Sequence, residues 1–161
     1  HNPAEALAVQ AIGLTNNYIE KNHGGLGMFA TVFFGALDTD SGVLSYINAG
    51  HEPPFVIGRT GVKCHLKPTG PAVGLMPDVR FHLGRVELEI GDIMVGFTDG
   101  VTEACASNGD FFSKDRLLSL IDQPASSASD LLERIKTNLK DFIGDTPQSD
   151  DITLLSIQRK A

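Results

Sequence analysis

The segment IMVGFTDG (residues 93–100) is an apolar run that ends in an Asp-Gly pair. A short apolar run next to such a turn signal is typical of a buried strand. The segment ITLLSIQ (residues 152–158) is also apolar, and it follows the acidic pair Asp150 and Asp151. We therefore predict two strands, each with an aspartate at one end.

Upstream of this segment the chain is rich in strand-forming residues. MFATVFFGALD (residues 28–38) is apolar on both faces, which predicts a strand buried between layers. VLSYINA (residues 43–49) follows a short turn and predicts the second strand of a hairpin. Further strands are predicted on both sides of the turn GRTG (residues 58–61) and over residues 79–89.

Three segments have helical periodicity. Residues 3–21 are predicted to form a helix with Asn2 as its N-cap, Glu5 completing a capping box and an apolar stripe of Leu7, Ala11, Leu14 and Tyr18. A short helix capped by Ser113 is predicted over residues 113–121. The capping box SASD (residues 127–130) precedes a longer helix. The element order predicts an α+β fold with helices on an antiparallel or mixed sheet.

Composition limits the classes of function. The chain has 161 residues, of which 42% are hydrophobic and 20% charged, which predicts a folded single domain. Its net charge of −7 argues against nucleic acid as a partner. We predict no membrane segment, since the longest apolar run is short, and no secretion leader. Two cysteines without a Cys-x-x-Cys pair predict a cytoplasmic protein without structural zinc.

Two interpretations of Asp99 are open from the residues alone. Asp-Gly is a common tight-turn dipeptide, because both residues tolerate positive φ. Alternatively, a carboxylate at the end of a buried strand is well placed to bind a hard cation, and Gly100 would let the backbone approach the ion's water shell. The following residues do not resemble a return strand, which favours the second interpretation.

Asp150 and Asp151 also allow two interpretations. Acidic residues before an edge strand often serve only to keep it soluble. If strand 152–158 pairs with strand 93–98, one of the two would approach Asp99, and the other would point away because neighbours in an extended chain alternate. Oxygen ligands alone favour Mg²⁺ or Mn²⁺ over Zn²⁺.

Four segments, in this order, resemble one family. They are MFATVFFGALDTDSGVLSYINAGHEPPFVI, GPAVGLM, GDIMVGFTDGVTEA and SDDITLL. Together they resemble the bacterial branch of the metal-dependent serine/threonine phosphatases, the type 2C-like (PPM) domains of SpoIIE-type sigma-factor regulators in sporulation and stress response. The resemblance implies an antiparallel β-sandwich flanked by helices in an α/β/β/α arrangement. It also implies a two-metal centre where a metal-activated water hydrolyses phosphoserine or phosphothreonine.

The resemblance assigns roles to individual residues. Asp99 and Asp150 match metal-ligating, catalytic aspartates of the family, with Gly100 at the same metal loop. Asp151 falls where the wider family often has asparagine, which implies a supporting role. His51 and Asn48, in NAGHEPP, are candidates for support or substrate contact, and a locally bonded turn is the alternative for His51. Glu103 is a candidate for orienting the metal loop, with plain solvent exposure as its alternative.

One family motif has no match in this sequence. The family carries a further metal-bridging aspartate in an Asp-x-x-Gly-x-Gly motif upstream of the first helix, and nothing like it precedes Asn2. We therefore expect residues 1–161 to be one domain that corresponds to the C-terminal two-thirds of a type 2C-like domain. On its own it should have little or no activity.

The resemblance thus predicts an Mg²⁺- or Mn²⁺-dependent protein phosphatase. Its implied substrate is a phosphorylated regulatory protein, such as an anti-anti-sigma factor, with a sensor or receiver domain N-terminal to the phosphatase. The alternative is a catalytically incomplete module that binds or regulates a partner. The exposed edges of an incomplete sheet also raise the hypothesis of a homodimer.

Overall fold

The computed structural model describes residues 3–148 and 150–161. Its α-helices are α1 (Pro3–His23), α2 (Asp99–Thr102), α3 (Ser113–Ile121) and α4 (Ala128–Ile143), and a short 3-10 helix (Gly24–Leu26) follows α1. Its strands are β1 (Val32–Leu37), β2 (Val43–Ala49), β3 (Phe55–Gly58), β4 (Gly61–His65), β5 (Gly84–Glu87), β6 (Ile93–Phe97) and β7 (Leu154–Gln158). The elements form two compact units. The first unit contains the residues up to Pro53 and Leu66–Leu88, and the second contains Pro54–His65 and Glu89–Ala161.

The first unit is built on a three-stranded antiparallel sheet in the order β1-β2-β5. Strand β2 is central and is buried over almost its whole length, because it has neighbours on both sides. Helix α1 packs on this sheet through Ala8, Val9, Ile12 and Ile19, which contact a core that includes Ile47 and Phe81.

Helix α1 is confirmed, but the predicted apolar stripe does not form its buried face. Leu7, Leu14 and Tyr18 are 63–64% exposed, and Ala11 is exposed as well. A second stripe, which includes the fully buried Asn16, faces the core instead. The helix carries two apolar stripes, and periodicity alone does not say which one a sheet will cover.

Strand β1 was predicted to be buried between layers, and this is wrong. It lies at the edge of its sheet, and Phe34 is 41% exposed. One face of an antiparallel sheet can face solvent, so apolar residues on both faces of a strand do not ensure burial.

Glu5 was predicted to complete a capping box with Asn2, which lies outside the described residues. In the structure the Glu5 carboxylate accepts hydrogen bonds from Arg85 Nη2 at 2.5 Å and from Ser45 Oγ at 2.6 Å. It therefore ties α1 to β2 and β5. The hydrogen bond from Arg85 and then that from Ser45 hold the pKa of Glu5 below its ordinary value.

This lowered pKa predicts a pH-dependent contribution of Glu5 to stability. A carboxyl group whose pKa is lower in the folded state stabilises the fold fully above its unfolded pKa. That contribution is lost as the pH falls through the folded pKa. We therefore expect Glu5→Gln to lower the free energy of unfolding at pH 7, with a deficit that shrinks in acid, as measured by urea denaturation between pH 7 and pH 3.

A double-mutant cycle provides the control for Glu5. In an Arg85→Met background, Glu5→Gln should have a smaller effect at pH 7, because its main partner has been removed. A deficit that remained constant from pH 7 to pH 3 would contradict the assignment of this pKa shift to the Arg85 and Ser45 contacts.

The second unit contains a four-stranded antiparallel sheet in the order β4-β3-β6-β7. Helices α3 and α4 cover one side of it. Their contacts form a core that includes Phe55, Val95, Leu117, Leu131 and Ile135.

The caps of these helices differ in how well the sequence predicted them. Ser127 caps α4 as predicted, because its side chain accepts a hydrogen bond from the Asp130 amide at 3.0 Å. Ser113 does not cap α3. It is the first helical residue, and the preceding position is held by Phe112, which packs edge-to-face on Phe142 with ring centroids 5.4 Å apart. The position before α3 is therefore held by a buried core residue and not by a capping side chain.

Strand β7 lies beside strand β6, as the site prediction required. The register pairs Phe97 with Leu154 and Ile93 with Gln158. The chain that leaves β6 at Thr98 therefore meets the chain that enters β7 at Thr153.

The predicted fold class, helices packed on antiparallel sheets, is confirmed. None of the helices in the described part of the chain has both the length and the apolar character of a membrane span.

Candidate metal centre

Asp99 is the first residue of the one-turn helix α2, directly after β6. Its side chain is exposed, and its Oδ1 accepts a hydrogen bond from the Gly100 amide at 3.0 Å. Its carbonyl accepts from the Glu103 amide at 2.8 Å, which closes the helical turn. Neither Asp99 nor Gly100 has a positive φ, so the hairpin-turn interpretation of this pair does not hold.

Gly100 is required for a different reason than backbone freedom. It is buried, and a Cβ at this position would overlap the Asp151 carbonyl oxygen and lie 3.0 Å from the Asp151 carbonyl carbon. The absence of a side chain therefore lets the Asp151 main chain pack directly on the turn that carries Asp99.

Asp150 and Asp151 play different parts at this junction. The Asp150 Oδ1 accepts a hydrogen bond from the Asp151 amide at 2.7 Å, and Gln148 Nε2 donates to the Asp150 carbonyl. The Asp151 carbonyl accepts a hydrogen bond from Thr98 Oγ1 at 3.0 Å. Both carboxylates are exposed. The structure thus brings the main chain of the Asp150–Asp151 segment against the Asp99 turn.

The donor set at this junction suits a hard cation. Asp99 and Asp150 each have one carboxylate oxygen bonded to the next amide, and no further hydrogen bond or ion pair reaches either carboxylate within the described residues. Oxygen-only ligation is typical of Mg²⁺ and Mn²⁺. Over residues 3–148 and 150–161, no three or more His, Cys, Asp or Glu side chains are grouped to hold a metal. Asp99 and Asp150 each keep one carboxylate oxygen that accepts no hydrogen bond from the described residues.

Glu103 contributes to the junction through its main chain. Its amide donates to the Asp99 carbonyl, while its side chain is exposed. The geometry gives the Asp99 turn a defined end at Glu103.

His51 and Asn48 belong to the first unit. Asn48 is fully buried, donates to the Leu66 carbonyl at 3.0 Å and accepts from the His51 amide at 2.9 Å. The His51 ring contacts Thr31, with 3.2 Å between Nδ1 and Oγ1. Asn48 therefore fixes the turn that presents His51.

Thr98 is a residue that the sequence reasoning missed. It lies in the segment IMVGFTDG directly before Asp99, and no role for its hydroxyl was predicted. In the structure this hydroxyl forms hydrogen bonds with the main chain of the segment that carries Asp150 and Asp151. A hydroxyl residue immediately before Asp-Gly was the signal that could have found it.

Comparisons with known proteins agree on one family. Residues 3–160 match the profile of stage II sporulation protein E (SpoIIE). The chain is 43% identical over 151 residues to protein IcfG of Synechocystis, covering 94% of this chain and 24% of that protein. It is 32% identical over 153 residues to the phosphoserine phosphatase RsbU of Bacillus subtilis, covering 94% of this chain and 45% of that protein. The chain thus spans less than half the length of these relatives.

Solved structures share the fold. The SiaA-PP2C domain of Pseudomonas aeruginosa has a TM-score of 0.76 at 21% identity, over 93% of this chain and 60% of that one. The Mn-presoaked phosphatase domain of SpoIIE from Bacillus subtilis has a TM-score of 0.66 at 11% identity, over 99% of this chain and 75% of that one. At these identities the similarity shows the fold alone, which is the PP2C-like fold.

Proposed function

Because the chain belongs to the stage II sporulation protein E (SpoIIE) family, we propose that it is part of a Mg²⁺- or Mn²⁺-dependent protein serine/threonine phosphatase. The reaction is hydrolysis of phosphoserine or phosphothreonine on a protein. The observation that carries the proposal is the junction between the Asp99 turn and the Asp150–Asp151 segment, where the Asp151 carbonyl packs on Gly100 beside Asp99. This junction supports the assignment of Asp99 and Asp150 to one metal centre.

Each candidate residue has a proposed role. Asp99 and Asp150 hold the metals through their carboxylates, and Gly100 allows the two main chains to approach. Asp151 supports this arrangement through its carbonyl. Glu103 supports it through its amide.

For His51 and Asn48 the proposed role is support of the site or contact with the substrate. Asn48 orients the turn, because its buried amide group bonds both Leu66 and His51. The contact between His51 Nδ1 and Thr31 orients the ring. With Nδ1 engaged in this way, Nε2 is the ring nitrogen proposed to face a phosphoprotein.

Bound Mg²⁺ or Mn²⁺ would lower the pKa of a water and neutralise charge on the phosphoryl group. The chain supplies anionic oxygens from Asp99, at the start of α2, and from Asp150, in the loop between α4 and β7. The Asp99 turn is joined to this loop by the hydrogen bond from Thr98 Oγ1 to the Asp151 carbonyl.

The whole protein is proposed to be longer than this chain and to act in signalling. We place residues 1–161 as one domain, the C-terminal two-thirds of a type 2C-like phosphatase domain, with the remaining metal ligand supplied by upstream sequence. The proposed substrate is a phosphorylated regulator of the anti-anti-sigma kind, and the proposed input is an N-terminal sensor or receiver domain. Cys64 and Cys105 are free thiols, which supports the proposed cytoplasmic location.

Metal dependence provides the direct test of this proposal. In the full-length natural protein, phosphate release from a phosphoserine protein should fall by about 100-fold or more when EDTA removes divalent metal, because metal ions contribute several kcal/mol to such reactions. Adding back Mn²⁺ should restore the rate. The measurement is steady-state phosphate release with and without the chelator.

The competing proposal is a non-catalytic binding module. A folded full-length protein that releases no phosphate with Mn²⁺ present would exclude the phosphatase and favour that module. Turnover that survives complete removal of metal would exclude the metal-dependent mechanism.

A further inference from the structure

We propose that Thr98 is the positioning residue that sets the spacing between the two metal-binding segments. The inference rests on the proposed function, since it concerns the affinity of that same metal centre. Thr98 lies directly before Asp99, and its side chain reaches across to the segment that carries Asp150 and Asp151.

The Thr98 side chain makes two hydrogen bonds to this segment. Its hydroxyl donates to the Asp151 carbonyl at 3.0 Å and accepts from the Thr153 amide at 3.0 Å. Its own amide donates to the Thr153 carbonyl at 3.1 Å. One residue therefore connects the Asp99 turn to both sides of Ile152.

The reason for a hydroxyl at this position lies in the end of the β6–β7 ladder. The last paired residues of the ladder are Phe97 and Leu154. Thr98 follows Phe97 in the chain, and Thr153 precedes Leu154. In a regular antiparallel ladder a hydrogen-bonded pair exchanges two main-chain bonds, so the Thr153 amide would bond to the Thr98 carbonyl. That carbonyl instead accepts from the Val101 amide at 3.0 Å, because the chain turns into α2.

The hydroxyl of Thr98 takes the place of this missing carbonyl. The chain can begin α2 at Asp99 and still remain attached to the entrance of β7. Without the hydroxyl, the Thr153 amide and the Asp151 carbonyl would both lose their bond to the Asp99 turn. The distance between the main chains that carry Asp99 and Asp150 would then be less well defined.

Groups that orient metal ligands affect metal affinity without touching the metal. Loss of such a group typically weakens metal binding by about 10- to 100-fold. We expect this effect for Thr98→Val, which keeps the β-branched shape and removes the hydroxyl. Thr98→Ser, which keeps the hydroxyl, should restore most of the affinity.

The experiment is an isothermal calorimetric titration with Mn²⁺, which measures the Mn²⁺ affinity of the full-length natural protein and of both variants. The matched control is Thr137→Val on the exposed surface of α4, which should leave the affinity unchanged. Equal Mn²⁺ affinity of the parent and Thr98→Val, at any thermal stability, overturns the positioning role. A folded parent that does not bind Mn²⁺ overturns the proposed metal centre as well.

A second measurement needs no variant and covers the case where Thr98→Val does not fold. Since coupling between sites is reciprocal, Mn²⁺ binding to the parent should slow hydrogen exchange of the Thr153 amide by about tenfold. The amide of Ile57 in β3, on the other side of β6, serves as the internal reference. Unchanged exchange at Thr153 on saturation with Mn²⁺ would overturn the inference.

Discussion

Asp99→Asn is expected to lower Mn²⁺-dependent phosphate release by the full-length protein by about 100-fold or more, since a metal ligand contributes several kcal/mol to catalysis. The substitution replaces an anionic oxygen by a neutral amide. The side-chain carbonyl of asparagine can still accept the hydrogen bond that the Gly100 amide donates to Asp99 Oδ1 at 3.0 Å. The turn should therefore fold normally, and the loss should appear in turnover rather than in stability.

The measurement is phosphate release over a range of Mn²⁺ concentrations, together with the thermal midpoint of each protein. Asp141→Asn provides the matched control, because it makes the same chemical change on the exposed surface of α4. It should retain the parent rate. Asp99→Asn with parent-like turnover would show that the metals are not held here.

Gly100→Ala is expected to have the second-largest effect, because it acts on the contact between the Asp99 turn and the Asp151 main chain. The added methyl group would overlap the Asp151 carbonyl, which is main chain and is held by Thr98. Overpacking of this kind typically lowers the free energy of unfolding by about 1–3 kcal/mol. Separation of the two segments should also weaken Mn²⁺ binding.

Urea denaturation and Mn²⁺ titration of the same samples measure both effects. Gly96→Ala is the control within β6, where an added Cβ would meet only the Pro54 ring carbon at 3.9 Å. Its effect should stay within about 1 kcal/mol, the span of strand propensities. Equal losses of unfolding free energy and of Mn²⁺ affinity in the two alanine variants would show that Gly100 is not needed for the close approach of Asp151.

Several elements could be predicted from the sequence because they depend on local patterns. VLSYINA gave the bounds of β2 as observed, Val43–Ala49, since its turn residues and apolar run lie next to each other in the chain. The cap at Ser127 was likewise predicted, because a capping box involves residues only three positions apart. The family resemblance was readable for a similar reason, since each of its motifs is a contiguous segment.

The buried faces of elements were less predictable. The exposed stripe of Leu7, Leu14 and Tyr18 has the same helical spacing as the stripe that packs on β2. Strand β1 is as apolar as a central strand but lies at an edge. A pattern of apolar residues shows that a face can be buried, and the choice between faces depends on which neighbour the fold places there.

The sequence by itself predicted the three longer helices, most of the strand segments, the family motifs and the candidate aspartates, but not the short helix α2. Only the tertiary structure decided that β7 lies beside β6, that the Asp151 carbonyl occupies the space left by Gly100, and that the Thr98 hydroxyl replaces a ladder carbonyl. These contacts join residues about 50 positions apart. Local periodicity carries no information on such pairs, because they form only when the packing of whole elements brings distant segments together.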